Sequence, residues 1–190
     1  MTRMTDLTRK LGRLQLAGPF EELPLDDRQL AKLKRAGAEI AAYIAYDGKH
    51  AVSTTLGVDR RSCTAHVFVP MTVAPFEVSP DEMDRYLAAG QLAARIPGSA
   101  IAIDRDARVN VAFAQTFDNP DANHVVNFIQ SAAAAGINAQ PTLSRELTRL
   151  GFQTDLSRDK LLAKAAGRPV RLSLREMEAL GTEGRRVVQC

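Results

Sequence analysis

The chain has no tryptophan, and aromatic residues make up only 5% of its 190 positions. So thin a supply argues against the stacking platforms on which single-stranded nucleic acid is held. There are two cysteines, Cys63 and Cys190. Thiols so placed build no disulfide framework. No apolar run is long enough to span a bilayer, and the N-terminus lacks a signal-type apolar core. No glycine-rich segment has the spacing of a phosphate-cradling or dinucleotide loop. The expectation from these absences is a reduced, cytoplasmic protein without a membrane span.

A hydrophobic fraction of 45% is ordinary for a folded domain. The formal net charge of +3 is unevenly spread. Residues 26–141 hold 11 basic and 13 acidic side chains, whereas residues 142–190 hold 10 and 6. The basic character, with a sequence pI near 9.1, therefore belongs mainly to the C-terminal part.

The stretch from Ser79 to Gly136 organises the rest. Ser79-Pro80-Asp81-Glu82 reads as a helix start, with a capping serine, proline in the first turn and a returning glutamate. Met83, Tyr86, Leu87, Gly90 and Ala94 follow at helical spacing, and Pro97-Gly98 ends the helix. Ile101 and Ile103 alternate, Asp104-Arg105-Asp106-Ala107 turns the chain, and Val109, Val111 and Phe113 alternate again. Period two puts these apolar groups on one face of a hairpin. Asn119-Pro120-Asp121 predicts a second helix with an apolar stripe through Val125, Val126, Ile129, Ala132 and Ala133, closing at Gly136.

Upstream, Leu7, Leu11 and Leu14 share one face of a short helix over residues 5–16, which predicts an arm packed on its own domain or a symmetry mate. Gly18-Pro19 and Leu23-Pro24 read as linker. Asp26-Asp27 caps a helix to about Arg35, with Leu30 and Leu33 inward. Residues 38–46 suit helix or strand; Tyr43, Ile44 and Tyr46, followed by the hairpin signal Asp47-Gly48, favour strand. Alternation over His50–Val58 and Cys63–Met71 completes a three-stranded meander. Beyond Gly136, Pro141-Thr142 starts a helix through Leu143, Leu147 and Leu150, and shorter helical pieces follow.

The expected fold is α+β: a twisted antiparallel five-stranded sheet packed with helices in the order α-β-β-β-α-β-β-α. The expected organisation is an N-terminal arm over residues 1–25, a body over 26–138 and a basic, mostly helical extension over 139–190. The body, most of all Tyr86-Leu87-Ala88-Ala89-Gly90, Ile101–Phe113 and Val125–Ala135, resembles the bacterial type III secretion chaperone fold shared with the YbjN-like family. The resemblance is one of pattern, covers residues 26–136 and carries no diagnostic motif. It implies a non-catalytic homodimer that holds a segment of a secreted client protein, without cofactor. The client would lie on Leu30, Leu33, Val109, Val111 and Phe113. The dimer would form through Tyr86, Leu87, Ala89, Gly90 and Ala93. The basic pI and the long C-terminal part depart from the family, which tends to be small and acidic.

Chemistry finds little purchase. Cys63 and His66 lie three apart on one strand, so they point to opposite faces and make a poor nucleophile–base pair. His50 and His66 would share a face only in a favourable register, and two histidines alone are a poor metal site. His124 opens a helix and is expected at the surface. Asp104 and Asp106 flank a solvated turn rather than form an acid–base pair. Arg145, Arg149, Arg158, Lys160 and Lys164 could face nucleic acid, but Glu146, Asp155 and Asp159 are interleaved, and nucleic acid is not expected as the partner. The alternative to a chaperone is a regulatory or nucleic-acid-associated protein acting through this basic segment, which salt-sensitive binding to generic duplex would reveal.

Overall fold

Alternating apolar residues do become strands, and most of the large apolar side chains they carry meet one layer of helices. The computed structural model describes residues 4–14, 20–28, 30–31, 37–46, 50–59, 61–73, 80–103 and 108–152. In chain order the elements are α1 (Met4–Leu11), β1 (Glu21–Leu23), β2 (Glu39–Tyr46), β3 (Ala51–Val58), β4 (Ser62–Val73), α2 (Pro80–Ala93), β5 (Ser99–Ile103), β6 (Arg108–Asp118) and α3 (Ala122–Arg149). Between β1 and β2, Asp27, Arg28, Leu30 and Ala31 are helical. The Asp26 carboxylate accepts from the Arg28 amide at 3.0 Å, as a cap should.

The strands form one open antiparallel sheet in the order β1-β2-β3-β4-β6-β5. The sheet thus has six strands where the sequence predicts five. The extra one is β1, which pairs Glu21–Leu23 with Ala42–Ile44 in a stretch that reads as linker. After β4 the chain passes through α2 to the far edge, lays down β5 and returns as β6 beside β4.

Register assigns the faces. Tyr43, Thr54, Val67 and Phe113 lie opposite one another across four strands, as do Ala41, Leu56 and Ala65 across three. This face, with Val52, Val69 and Val111, is buried in one continuous core with Leu7 and Leu11 of α1 and with Val125, Ile129, Leu143 and Leu147 of α3. Phe117 at the end of β6 meets Phe128 of α3 edge-on at 5.7 Å. At the far edge Ala89 and Ala93 of α2 are buried, and Ser99 Oγ donates to the Ala93 carbonyl at 2.9 Å.

Two local predictions are corrected. The cap of α3 is Asp121 rather than Asn119-Pro120: its carboxylate accepts from the amides of Asn123 and His124, and the helix begins at Ala122. Asn119 instead takes a left-handed turn at φ 43°. Nor does α3 end at Gly136. It runs 28 residues, through Gly136 and Pro141. The boundary expected at residue 138 falls inside it, and Leu143, Leu147 and Phe152 join the same core.

The passage through Pro141 has a structural counterpart in β4. The β4–β6 register shifts between Pro70 and Thr72, leaving Met71 as the extra residue of a bulge. Gln140 Nε2 donates to the Pro70 carbonyl at 2.8 Å, and Ser144 Oγ donates to the Met71 carbonyl at 2.9 Å. Side chains on either side of the helix proline thus bind the carbonyls of the irregular strand. Pro70 itself lies past the β3–β4 ladder, which ends at Phe68, so its missing N–H breaks no bond to β3.

Candidate functional site

The residues expected to bind a client divide sharply. Val109 and Val111 are fully buried and Phe113 is 5% exposed, all in the core beneath the helices. Leu30 is half-buried, and Leu33 lies outside the described residues. The three strand residues are therefore engaged by their own chain, and a ligand could reach them only by displacing a helix. Alternation placed them on one face correctly; what covers that face is a tertiary fact that period two does not carry.

The expected dimer residues divide in the same way. Ala89 and Ala93 are fully buried. Gly90 is exposed, and Leu87 is 60% exposed, an unusual position for a leucine. Tyr86 lies in α2, but its side chain falls outside the described residues. The outward face of α2 thus carries Leu87 and Gly90, and its inward face the two alanines.

The other face of the sheet has a different character. Register places Ile40, Ala42, Ser53, Thr55, Thr64, His66, Phe68, Ala112 and Ala114 on it. Its charged strand residues among those described, Glu21, Arg108 and Asp118, stand at the ends of strands. Between them Ile40, Ala42 and Thr64 are buried, Ser53, Thr55, His66, Phe68 and Ala112 are half-buried, and Ala114 is exposed. Thr64 and Thr116 share a 3.0 Å hydrogen bond across β4 and β6. His66 and Phe68 lie two apart on β4, both half-buried, with ring centroids 6.1 Å apart.

Among the described residues, none of the titratable groups considered from sequence assembles into a reaction centre. Cys63 lies on the helix-covered face and His66 on the opposite one, as their spacing requires. Burial, assisted by the nearby Asp59 carboxylate, pushes the Cys63 thiol up to about 12. Such a thiol is an inert core group at neutral pH. His50 does not meet His66: its Nδ1 lies 2.5 Å from Gln140 Oε1 of α3. His124 is exposed in the first turn of α3. Backbone hydrogen bonding, first from the His124 amide, holds the Asp121 carboxyl below its usual range. Arg145 and Arg149 both approach Glu146, at 3.9 and 2.8 Å, which reduces their value as a free basic patch. Arg158, Lys160 and Lys164, like Asp104 and Asp106, lie outside the described residues. Among the described residues no cluster of three or more His, Cys, Asp or Glu side chains could hold a metal ion, and no helix is long and apolar enough to cross a membrane.

The N-terminal segment is placed more deeply than an arm would be. Leu7 and Leu11 are fully buried. Thr8 Oγ1 lies 2.6 Å from the Tyr43 hydroxyl of β2 and also donates to the Met4 carbonyl. Lys10 Nζ donates to Asn123 Oδ1 at the start of α3. Burial raises the Tyr43 phenol, against the lowering effect of its bond to Thr8. The sequence signal for this packing was the Leu7/Leu11 spacing; its docking position on β2 left no local trace.

Comparison with protein families, with curated proteins and with solved structures gives no match.

Proposed function

We propose that the chain is a non-catalytic protein-binding module of secretion-chaperone type, a cytoplasmic homodimer that holds a segment of a secreted client protein. The observation that carries this reading is the sheet face around His66 and Phe68, opposite α1 and α3, whose charged strand residues among those described stand only at strand ends. Nucleic acids and small anionic metabolites are recognised by basic side chains, whereas extended polypeptides are held by apolar and hydroxylic surfaces and by strand edges. The element order supports the same reading. Three meander strands, a helix, two strands and a helix follow one another as the resemblance to the secretion chaperones implies, with β1 and α1 added.

Because Val109, Val111 and Phe113 are committed to the core, the client surface is assigned to the half-buried and exposed residues of the opposite face, Ser53, Thr55, His66, Phe68, Ala112 and Ala114, and to the adjoining strand edge. The dimer contact is assigned to the outward face of α2, through Leu87 and Gly90 rather than Ala89 and Ala93. Tagged full-length chain, captured from native lysate and analysed by mass spectrometry, tests the reading. One stoichiometric exported protein is the expected result; capture of nucleic acid alone, or of no protein, overturns it.

A further inference from the structure

The two edges of the sheet differ. β1, at one, has three residues with Glu21 and Glu22 exposed, and Pro24 follows it. A short, charged edge beside a proline discourages a further strand. β5, at the other, reads Ser-Ala-Ile-Ala-Ile, and its register with β6 has no bulge. It carries none of the charges, prolines or bulges that protect an edge from pairing. Among the described residues no strand lies beyond it.

The same margin holds the exposed apolar side chains. Among the described residues, Leu87 and Ile103 are the large hydrophobic ones left exposed, Ile103 at 45%. Leu87 stands on α2, which packs against β5, and Ser99 Oγ ties the first residue of β5 to the Ala93 carbonyl of α2. Ile103 lies on the helix-covered face, opposite the fully buried Val109. The apolar face that β6 turns to the core thus continues onto β5 and ends there exposed. Gly90 and Gln91, one turn on from Leu87, are exposed as well.

We propose that β5 is the seam of the homodimer, pairing antiparallel with β5 of a second copy about a two-fold axis at Ile101. This rests on the homodimer reading above and names its contact. The strand is self-complementary in that register. Ser99 stands opposite Ile103 and Ala100 opposite Ala102, each twice, and Ile101 stands opposite its own copy. Ser99, Ile101 and Ile103 of both copies then share the helix-covered side, small against large. The two α2 helices lie side by side above the joined strands, with Gly90 permitting close approach of Leu87 to the second copy. One symmetry operation thus covers both exposed side chains, as an isologous interface does. A client's strand added to β5 would pair the edge but leave Leu87 bare. The two six-stranded sheets become one continuous sheet. Of the client surface assigned above, the face around His66 and Phe68 remains, and the β5 edge goes to the second copy.

The test uses full-length chain in a Cys190→Ser background, where the remaining Cys63 is buried. Ile101→Cys puts a thiol on the axis, opposite its own copy and within disulfide reach. Ile103→Cys puts one on a more exposed site, but the two copies of it then stand four residues apart, roughly 13 Å. Mild oxidation is expected to link Ile101→Cys into a covalent dimer at least about tenfold faster than Ile103→Cys. Ile103→Lys changes no buried side chain and places a lysine on the seam. It is expected to raise the dimer dissociation constant in sedimentation at least about tenfold. A dimeric parent whose Ile101→Cys variant folds by circular dichroism yet links no faster than Ile103→Cys overturns the proposal. An unchanged dissociation constant for Ile103→Lys overturns it as well. In both cases the homodimer reading stands and its contact lies elsewhere. A monomeric parent chain overturns the homodimer reading and this seam with it.

Discussion

Gly136 of α3 rests directly on Val69 of β4: a Cβ built at position 136 would lie 2.5 Å from Val69 Cγ2 and 2.9 Å from its Cβ. No real side chain tolerates such contacts, so the absent methyl sets how closely the helix approaches the sheet. Glycine inside a helix costs roughly 0.5–1 kcal/mol relative to alanine. Here that cost is offset by the close approach.

Gly136→Ala is therefore expected to destabilise the chain despite alanine's better helix propensity. Overpacking of a filled core costs about 1–3 kcal/mol, which exceeds the propensity gain. Urea unfolding should show a lower midpoint, and Val69→Ala in the same chain should recover part of the loss. A midpoint at or above the parent's would show that the helix can move away freely.

The bond from Ser144 to the Met71 carbonyl gives a second prediction. Ser144→Ala removes the donor that binds the extra residue of the β4 bulge. The expected loss is about 1 kcal/mol, the net value of one such hydrogen bond. Thermal unfolding of Ser144→Ala beside Thr148→Ala measures it. Thr148 Oγ1 donates back to the Ser144 carbonyl within the helix at an exposed position, so its loss should cost less.

These two contacts also mark where the chain was readable from sequence and where it was not. Strands β2 to β6 were legible because Val52, Leu56, Val67, Val109 and Val111 alternate, and alternation is a local property of an extended backbone. The inward face of α1 was legible for the same kind of reason, in Leu7 and Leu11. The continuation of α3 was not. Gly136 and Pro141 both carry local stop signals, and what overrides them lies more than sixty residues away, in Val69, Pro70 and Met71. β1 was missed because Glu21-Glu22-Leu23 before Pro24 has no strand pattern; pairing with Ala42–Ile44 makes it one. The candidate site suffered from the same limit. Period two put Val109, Val111 and Phe113 on a shared face, but only packing shows that α3 and its neighbours cover it.

Alkaline pH supplies a third prediction, through Cys63. Its thiol is raised from 9.0 to about 12, chiefly by burial. The folded state thus holds this proton more tightly than the unfolded state. The contribution is intact below about 9 and is lost as pH rises toward about 12, because only the unfolded thiol ionises across that window. Stability measured by urea titration at several pH values should fall over this range. Cys63→Ala should flatten part of the slope, leaving the part due to Tyr43, whose phenol burial also raises. Rapid alkylation of Cys63 in the native chain at pH 8, in a Cys190→Ser background, would contradict its inert placement.

The outward face of α2 yields a fourth. Leu87, 60% exposed, can be changed without touching the core. Leu87→Arg is expected to keep the thermal midpoint of the parent and to halve the mass seen by light scattering. Ala89→Arg is the wrong probe, since Ala89 is fully buried against the body and an arginine there would disrupt the fold itself. A dimeric mass retained by Leu87→Arg would exclude this face as the contact.

Native mass spectrometry of tagged full-length chain, released gently from lysate, reaches the protein-binding claim most directly. The expected spectrum shows two copies of the chain with one further polypeptide, which dissociates intact on activation. A spectrum holding only the bare chain, or the chain with a small molecule bound stoichiometrically, would contradict it.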